Sequence, residues 1–229
     1  CDDLGPLLSG NPEASCTTCL GGGTGGDPHI TPFLHSAFPF TLPAGRRSLD
    51  VYNFVTLPTF QLNCRFIKYP GDWNGEYIIE TGFLIRDPKA NGTVSQIQIG
   101  ATRSSGKWHL LARINGASLK HTTHQNALFT LEQRSSTLVT IEFAMLRVDV
   151  LLHFARGFPY LDVNGDMLML DVMRNAQGLL GQRARATVPY KTPVKKECFA
   201  CFVEGEMEDY RVHSGDLYGL DFKYNLYHE

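Results

Sequence analysis

The chain has 229 residues, of which 43% are hydrophobic and 19% charged, and its formal net charge is −2. This is the composition of a folded chain and not a disordered one, and the slightly acidic balance argues against a nucleic-acid binder, which needs a basic face. No apolar run reaches the roughly 18 residues that a membrane-spanning helix requires, so no transmembrane segment is expected.

Residues 1–26 are rich in Gly, Pro, Ser and Thr and carry little apolar periodicity. They read as an irregular N-terminal segment pinned by cysteines, followed by one β domain over residues 27–229 with a C-terminal extension. The segment closes on Gly21-Gly22-Gly23-Thr24-Gly25-Gly26, then Asp27-Pro28-His29. The glycines form a hinge into ordered structure, because they accept backbone angles that other residues avoid. Pro28 has no N–H and pushes Asp27 toward extended geometry.

From Asp27 onward the apolar period is two. Phe60, Leu62, Cys64 and Phe66 share one face of a strand, while Gln61, Asn63 and Arg65 share the other. Val139, Ile141 and Phe143 alternate with Thr140 and Glu142. Val148, Val150, Leu152 and Phe154 alternate with Arg147, Asp149 and His153. Similar runs at 48–56, 76–86, 94–101, 107–114 and 127–133 are rich in β-branched or aromatic residues and bounded by turn formers. Asn115-Gly116 and Asn164-Gly165 predict two type I′ hairpins, since Asn-Gly accepts the positive φ angles that such turns need. The best helical stretches are short, at 168–175 and 215–220. The fold class expected is all-β: an antiparallel β-sandwich of many short strands with few short helical turns. Trp73, Trp108 and the tyrosines read as core and strand-pair residues.

Six cysteines, Cys1, Cys16, Cys19, Cys64, Cys198 and Cys201, form an even set, and Asn91-Gly92-Thr93 is a glycosylation sequon. Together with the Gly26-Asp27-Pro28-His29 tetrad they point to a secreted, extracellular glycoprotein with disulfide bonds. The pairs Cys16-x-x-Cys19 and Cys198-x-x-Cys201 read as two disulfides joining the N- and C-terminal segments. Four thiolates on one zinc ion are the alternative. Cys64, on a core-facing position, either pairs with Cys1 or stays a buried thiol. The absence of a leader before Cys1 is read as the mark of a mature or processed piece.

Other candidate sites each have a plainer reading. Asp162, Asn164 and Asp166 offer three oxygen ligands at alternate positions, as weak calcium candidates, but alternation on a polar strand explains them equally. The acidic run 204–209 reads as a solvated face. His121-x-x-His124 lies in a polar loop without further ligands. No His-Glu-x-x-His, Gly-x-Ser-x-Gly or phosphate-binding loop occurs, so no catalytic residues and no cofactor are expected.

Gly26-Asp27-Pro28-His29 followed by Thr31 and Phe33 resembles the opening of the von Willebrand factor type D domain. Arg113-Ile114-Asn115-Gly116-Ala117-Ser118-Leu119 is similar to the family's strand–Asn-Gly–strand unit, and Gly178-Leu179-Leu180-Gly181-Gln182 stands where the family has Gly-Leu-Cys-Gly-Asn. The resemblance covers roughly residues 20–229, the size of one such domain. Leu180 replaces the family's cysteine, Gln182 its asparagine, and Arg183-Ala184-Arg185-Ala186 its acidic calcium cluster. The resemblance implies a secreted assembly module of an extracellular matrix, fibre or surface layer, whose partners are other extracellular proteins or copies of itself. It also implies an autocleavage candidate at Asp27-Pro28, with His29 assisting; a structural turn is the plainer reading of that tetrad. The alternative function is a secreted, luciferase-like enzyme or an apolar-ligand carrier, with a cavity lined by His29, His35 or His109.

Overall fold

The computed structural model describes residues 21–25, 29–31, 38–39, 49–68, 76–87, 93–143, 146–167, 176–180 and 207–227. Fifteen strands are found among them: β1 (Gly21–Gly25), β2 (His29–Thr31), β3 (Phe38–Pro39), β4 (Val51–Leu57), β5 (Phe60–Lys68), β6 (Glu76–Arg86), β7 (Val94–Ser104), β8 (Lys107–Ile114), β9 (Ala117–Ser118), β10 (Thr123–Gln125), β11 (Phe129–Gln133), β12 (Leu138–Phe143), β13 (Leu146–Ala155), β14 (Phe158–Met167) and β15 (Arg211–Val212). Their pairings are antiparallel, as the period-two patterning predicts, and they join into one continuous curled sheet. Residues 215–220, expected as a helical turn, form non-helical turns instead, while a 3₁₀ turn occurs at Met207–Tyr210.

Tight turns carry the meander. Asn115 (φ 49°) and Gly116 (φ 79°) close β8 onto β9, as their sequence predicts. Ser105-Gly106 and Arg156-Gly157 have the same pair of positive φ angles and close β7–β8 and β13–β14. The second expected hairpin is absent. Asn164-Gly165 lies inside β14, which pairs with Asp149 and Val148 of β13 on one edge and with Gly23 and Gly22 of β1 on the other. Two flanking ladders satisfy those backbone groups, and that outweighs the local turn preference. The glycine run is therefore a strand of the sheet and not a hinge, and the sheet begins before Asp27.

The sheet branches at β6. One edge of β6 pairs with β5 along its length. The other edge meets Leu161 of β14 at Ile78, and then β7 from Glu80 to Arg86. The change of partner coincides with a bulge: Arg65 faces Glu80 and Phe66 faces Ile78, so Ile79 has no counterpart on β5. A bulge kinks its strand and re-aims the side chains beside it. From this fork one arm runs through β7, β8 and β9, and the other through β14, β13, β12, β11 and β10. The arms meet again at their far ends, where the Leu110 amide donates to the Ser136 carbonyl at 2.8 Å and Gln133 Nε2 donates to the Leu110 carbonyl at 3.1 Å.

The curl encloses one hydrophobic core. Phe60 stacks on Phe143 at 5.4 Å and meets Phe83 edge-on at 6.2 Å, which links β5 and β6 to β12 through their rings. On β13 the buried positions are Leu146, Val148, Val150 and Leu152, with half-buried residues between them. β4 breaks that alternation, since all seven of its residues are buried. Its outer side is covered twice. Residues 176–180 hydrogen-bond to it through Gln177, Leu179 and Leu180, and the C-terminal segment 207–227 pairs β15 with Val51 and Tyr52. That segment then crosses the outer face of β5 and β6. Asn63 Nδ2 donates to the carbonyls of Leu217 and Gly219, both at 3.1 Å, and Gln61 Nε2 donates to Gly219 at 2.8 Å. Val51, Val212, Leu217 and Phe222 form a small second core beneath it.

Candidate functional site

The fork of the sheet leaves an apolar pocket of about 370 Å³. Ile67 of β5 and the bulged Ile79 with its neighbour Glu80 line one part. Gly100 and Ala101 of β7 and Trp108 of β8 line another, and Phe158 and Pro159 at the start of β14 complete it. The local sequence accounts for the opening. Gly100 has no side chain to fill the gap, and a Cβ there would make ordinary contact with Glu80 Cγ at 3.6 Å. The volume lies in the range of small-molecule sites, which are mostly apolar with a few polar groups.

Glu80 is the acidic group of the lining, and it is already engaged. Arg65 Nε lies 3.0 Å from its Oε2, and Gln98 Nε2 donates to its Oε1 in a short bond. Gln98 Oε1 in turn accepts from Arg113 at 3.5 Å. Tyr218 of the C-terminal segment sits by this row. Burial raises its phenol pKa to about 12, with the charges of Glu80 and Asp216 adding to the rise and Arg113 opposing it.

The pocket continues onto an exposed aromatic tip. Phe154 and Phe158 flank the Arg156-Gly157 turn and keep 49% and 43% of their surface in solvent. Phe154 is paired with Pro159 of the pocket lining. Further along the same two strands, His153 Nε2 lies 3.1 Å from Asp162 Oδ2. The His153 ring stacks on Tyr160 at 5.6 Å, and Tyr160 meets Tyr77 at 5.2 Å. Burial raises the Tyr160 pKa, and the Asp162 charge and Tyr77 add to the rise.

Several expected site residues take other roles. Asp162, Asn164 and Asp166 occupy alternate positions of β14. Alternate strand residues stand about 6.5–7 Å apart, so the three spread along one face and do not converge on one ion. Among the described residues no group of three or more His, Cys, Asp or Glu could hold a metal. His124 packs its ring 5.5 Å from Phe129, and His121 is exposed. His109 contacts Ser104 Oγ at 3.4 Å and does not line the pocket. In the acidic run, Glu208 binds Arg211 at 2.6 Å and Asp209 binds Lys223 at 3.0 Å, so these two hold the C-terminal segment together. Cys64 carries a free, fully buried thiol, and burial pushes its pKa up. Leu180, where the type D motif has a cysteine, is fully buried in the main core. Cys1, Cys16, Cys19, Cys198, Cys201, Asp27, Pro28, His35, Trp73 and Asn91 lie outside the described residues, as does the helical candidate at 168–175.

The place and lining of the pocket, and its tip, differ from the histidine-lined cavity expected. The one available signal was the pair Phe154 and Phe158 around a glycine turn, where a polar tip is usual. Fold and site together define an antiparallel all-β protein with an apolar pocket where its sheet branches. Among the described residues no helix is long and apolar enough to cross a membrane. No protein-family model matches the chain, and no curated protein matches it.

Proposed function

We propose that the chain is a secreted structural module that acts by protein–protein association in an extracellular matrix, fibre or surface layer. Its partners are copies of itself or other extracellular proteins. The observation that carries this reading is the exposed Phe154–Phe158 tip beside an apolar pocket. Large aromatics left in water favour contact with another surface, because association removes their area from water; Phe154 pairs with Pro159 and Phe158 with Ala155, so the two rings do this on opposite faces of the hairpin end. The resemblance to type D domains supports the extracellular setting and the assembly role. Sedimentation of the native chain over a wide concentration range tests the reading. The expected result is reversible self-association, weakened at least tenfold by the joint change Phe154→Ser and Phe158→Ser. A double variant that associates equally overturns the role of the tip, and a native chain that stays monomeric removes copies of itself from the partners.

The pocket supports a second reading, carriage of an apolar ligand, because its volume and lining match small-molecule sites.

A further inference from the structure

We propose that the pocket at the fork binds a compact, uncharged aromatic molecule of two or three rings. This rests on the ligand-carrier reading, and Phe158 is shared between the pocket and the associating tip. Size sets the first limit. An apolar cavity of about 150 Å³ accepts one benzene, and this pocket of about 370 Å³ has room for two or three rings. Gly100 and Ala101 are the small residues of the lining, and as strand neighbours they project to opposite sides, so a larger residue at one or the other would intrude on the space.

The lining sets the chemistry. Trp108 and Phe158 offer ring surfaces, and aromatic partners gain from offset or edge-on contacts beyond simple burial. Ile67 and Ile79 add aliphatic surface. Glu80 contributes the pocket's charge, yet both its oxygens are bound, one to Arg65 and one to Gln98. A charged ligand would leave water without a partner inside, which is costly. An anion would also face the Glu80 carboxylate. An uncharged aromatic body meets neither cost.

The probe is N-phenyl-1-naphthylamine, an uncharged two-part aromatic whose emission brightens in apolar surroundings and is sensitised by tryptophan. The full chain should bind it saturably, one to one, with sensitised emission. Its anionic 8-sulfonate derivative should bind at least ~10-fold more weakly, as expected for a charge that finds no partner. Gly100→Val and Ala101→Leu are made separately, and at least one of them should weaken the neutral probe at least ~10-fold, the scale for occupied space in an apolar pocket. Their thermal transitions report whether each variant folds. Trp108→Phe should keep the binding and reduce the sensitised emission. Native-like binding by both filled variants, or equal binding of the sulfonate, overturns the proposal. Competition with 1-dodecanol separates the two levels. If dodecanol binds in the pocket and the aromatic probe does not, the aromatic preference falls and the carrier reading stands. If neither binds, both fall.

Discussion

Gly82 offers the sharpest test of how the C-terminal segment is held. It lies on β6, paired with Asn63, under Leu217. A Cβ at this position would lie 2.5 Å from Leu217 Cγ and 2.8 Å from the Leu217 carbonyl oxygen. Gly82→Ala must therefore lift the segment off the sheet. What is lost is bounded by what docking supplies. Three amide-to-carbonyl bonds, from Asn63 and Gln61, contribute about 0.5–1.5 kcal/mol each. Burial of Leu217, which is 4% exposed, contributes about 2 kcal/mol. The cost should then be about 3.5–6.5 kcal/mol, and it cannot much exceed that, because the segment can detach locally while the main core stays folded. Leu217→Ala removes the Cγ-linked branches that a new methyl would strike. In that background Gly82→Ala should cost about 1–2 kcal/mol less than it does alone, a coupling that a double-mutant cycle reads directly. Urea unfolding of the four proteins supplies the free energies. Hydrogen exchange of residues 207–227 shows whether the loss is local. Additive costs, or a Gly82→Ala protein whose C-terminal segment stays fully protected, would refute the reasoning.

Gly178 has a φ of +103°, and a Cβ there would fall 2.6 Å from Asn53 Oδ1 and closer still to the Phe54 carbonyl. Gly178→Ala should therefore lower stability by at least about 2 kcal/mol in urea unfolding, combining strained backbone with collision; a native-like midpoint would count against the docking of residues 176–180. The Tyr218 phenol titrates at about 12 in the folded chain, against 10.0 unperturbed. A raised folded pKa means that its contribution is complete below pH 10 and is lost as pH rises through about 12. Tyr218→Phe should flatten the fall in stability over that window, measured by denaturant unfolding at several pH values, and parallel curves for the two proteins would contradict it. Cys64 should resist alkylation in the native chain and react only in denaturant, because its thiol is fully buried and the reactive thiolate is disfavoured. Peptide mapping after native labelling decides this, with a modified Cys64 as the adverse result.

The pattern of residues by itself determined the strands. Alternation of apolar and polar side chains places β5, β6, β8 and β13 close to their observed limits, because one face of each must leave water whatever its neighbours are. Asn115-Gly116 was equally legible, since the turn needs only its own two residues. Tertiary structure decided the rest. The polar face of β5, Gln61 and Asn63, reads as solvent-facing but is buried, because a segment more than 150 residues further on supplies carbonyls to its amides. Asn164-Gly165 reads as a turn but extends as strand, because β1 and β13 pair with both its edges. The pocket was the least legible feature. It exists because β6 changes partner at a one-residue bulge, which brings Ile79, Gly100, Trp108 and Phe158 together from four strands. Local chemistry sets each strand and turn, whereas a pocket is a property of how distant strands are joined. No single stretch of the chain contains that information.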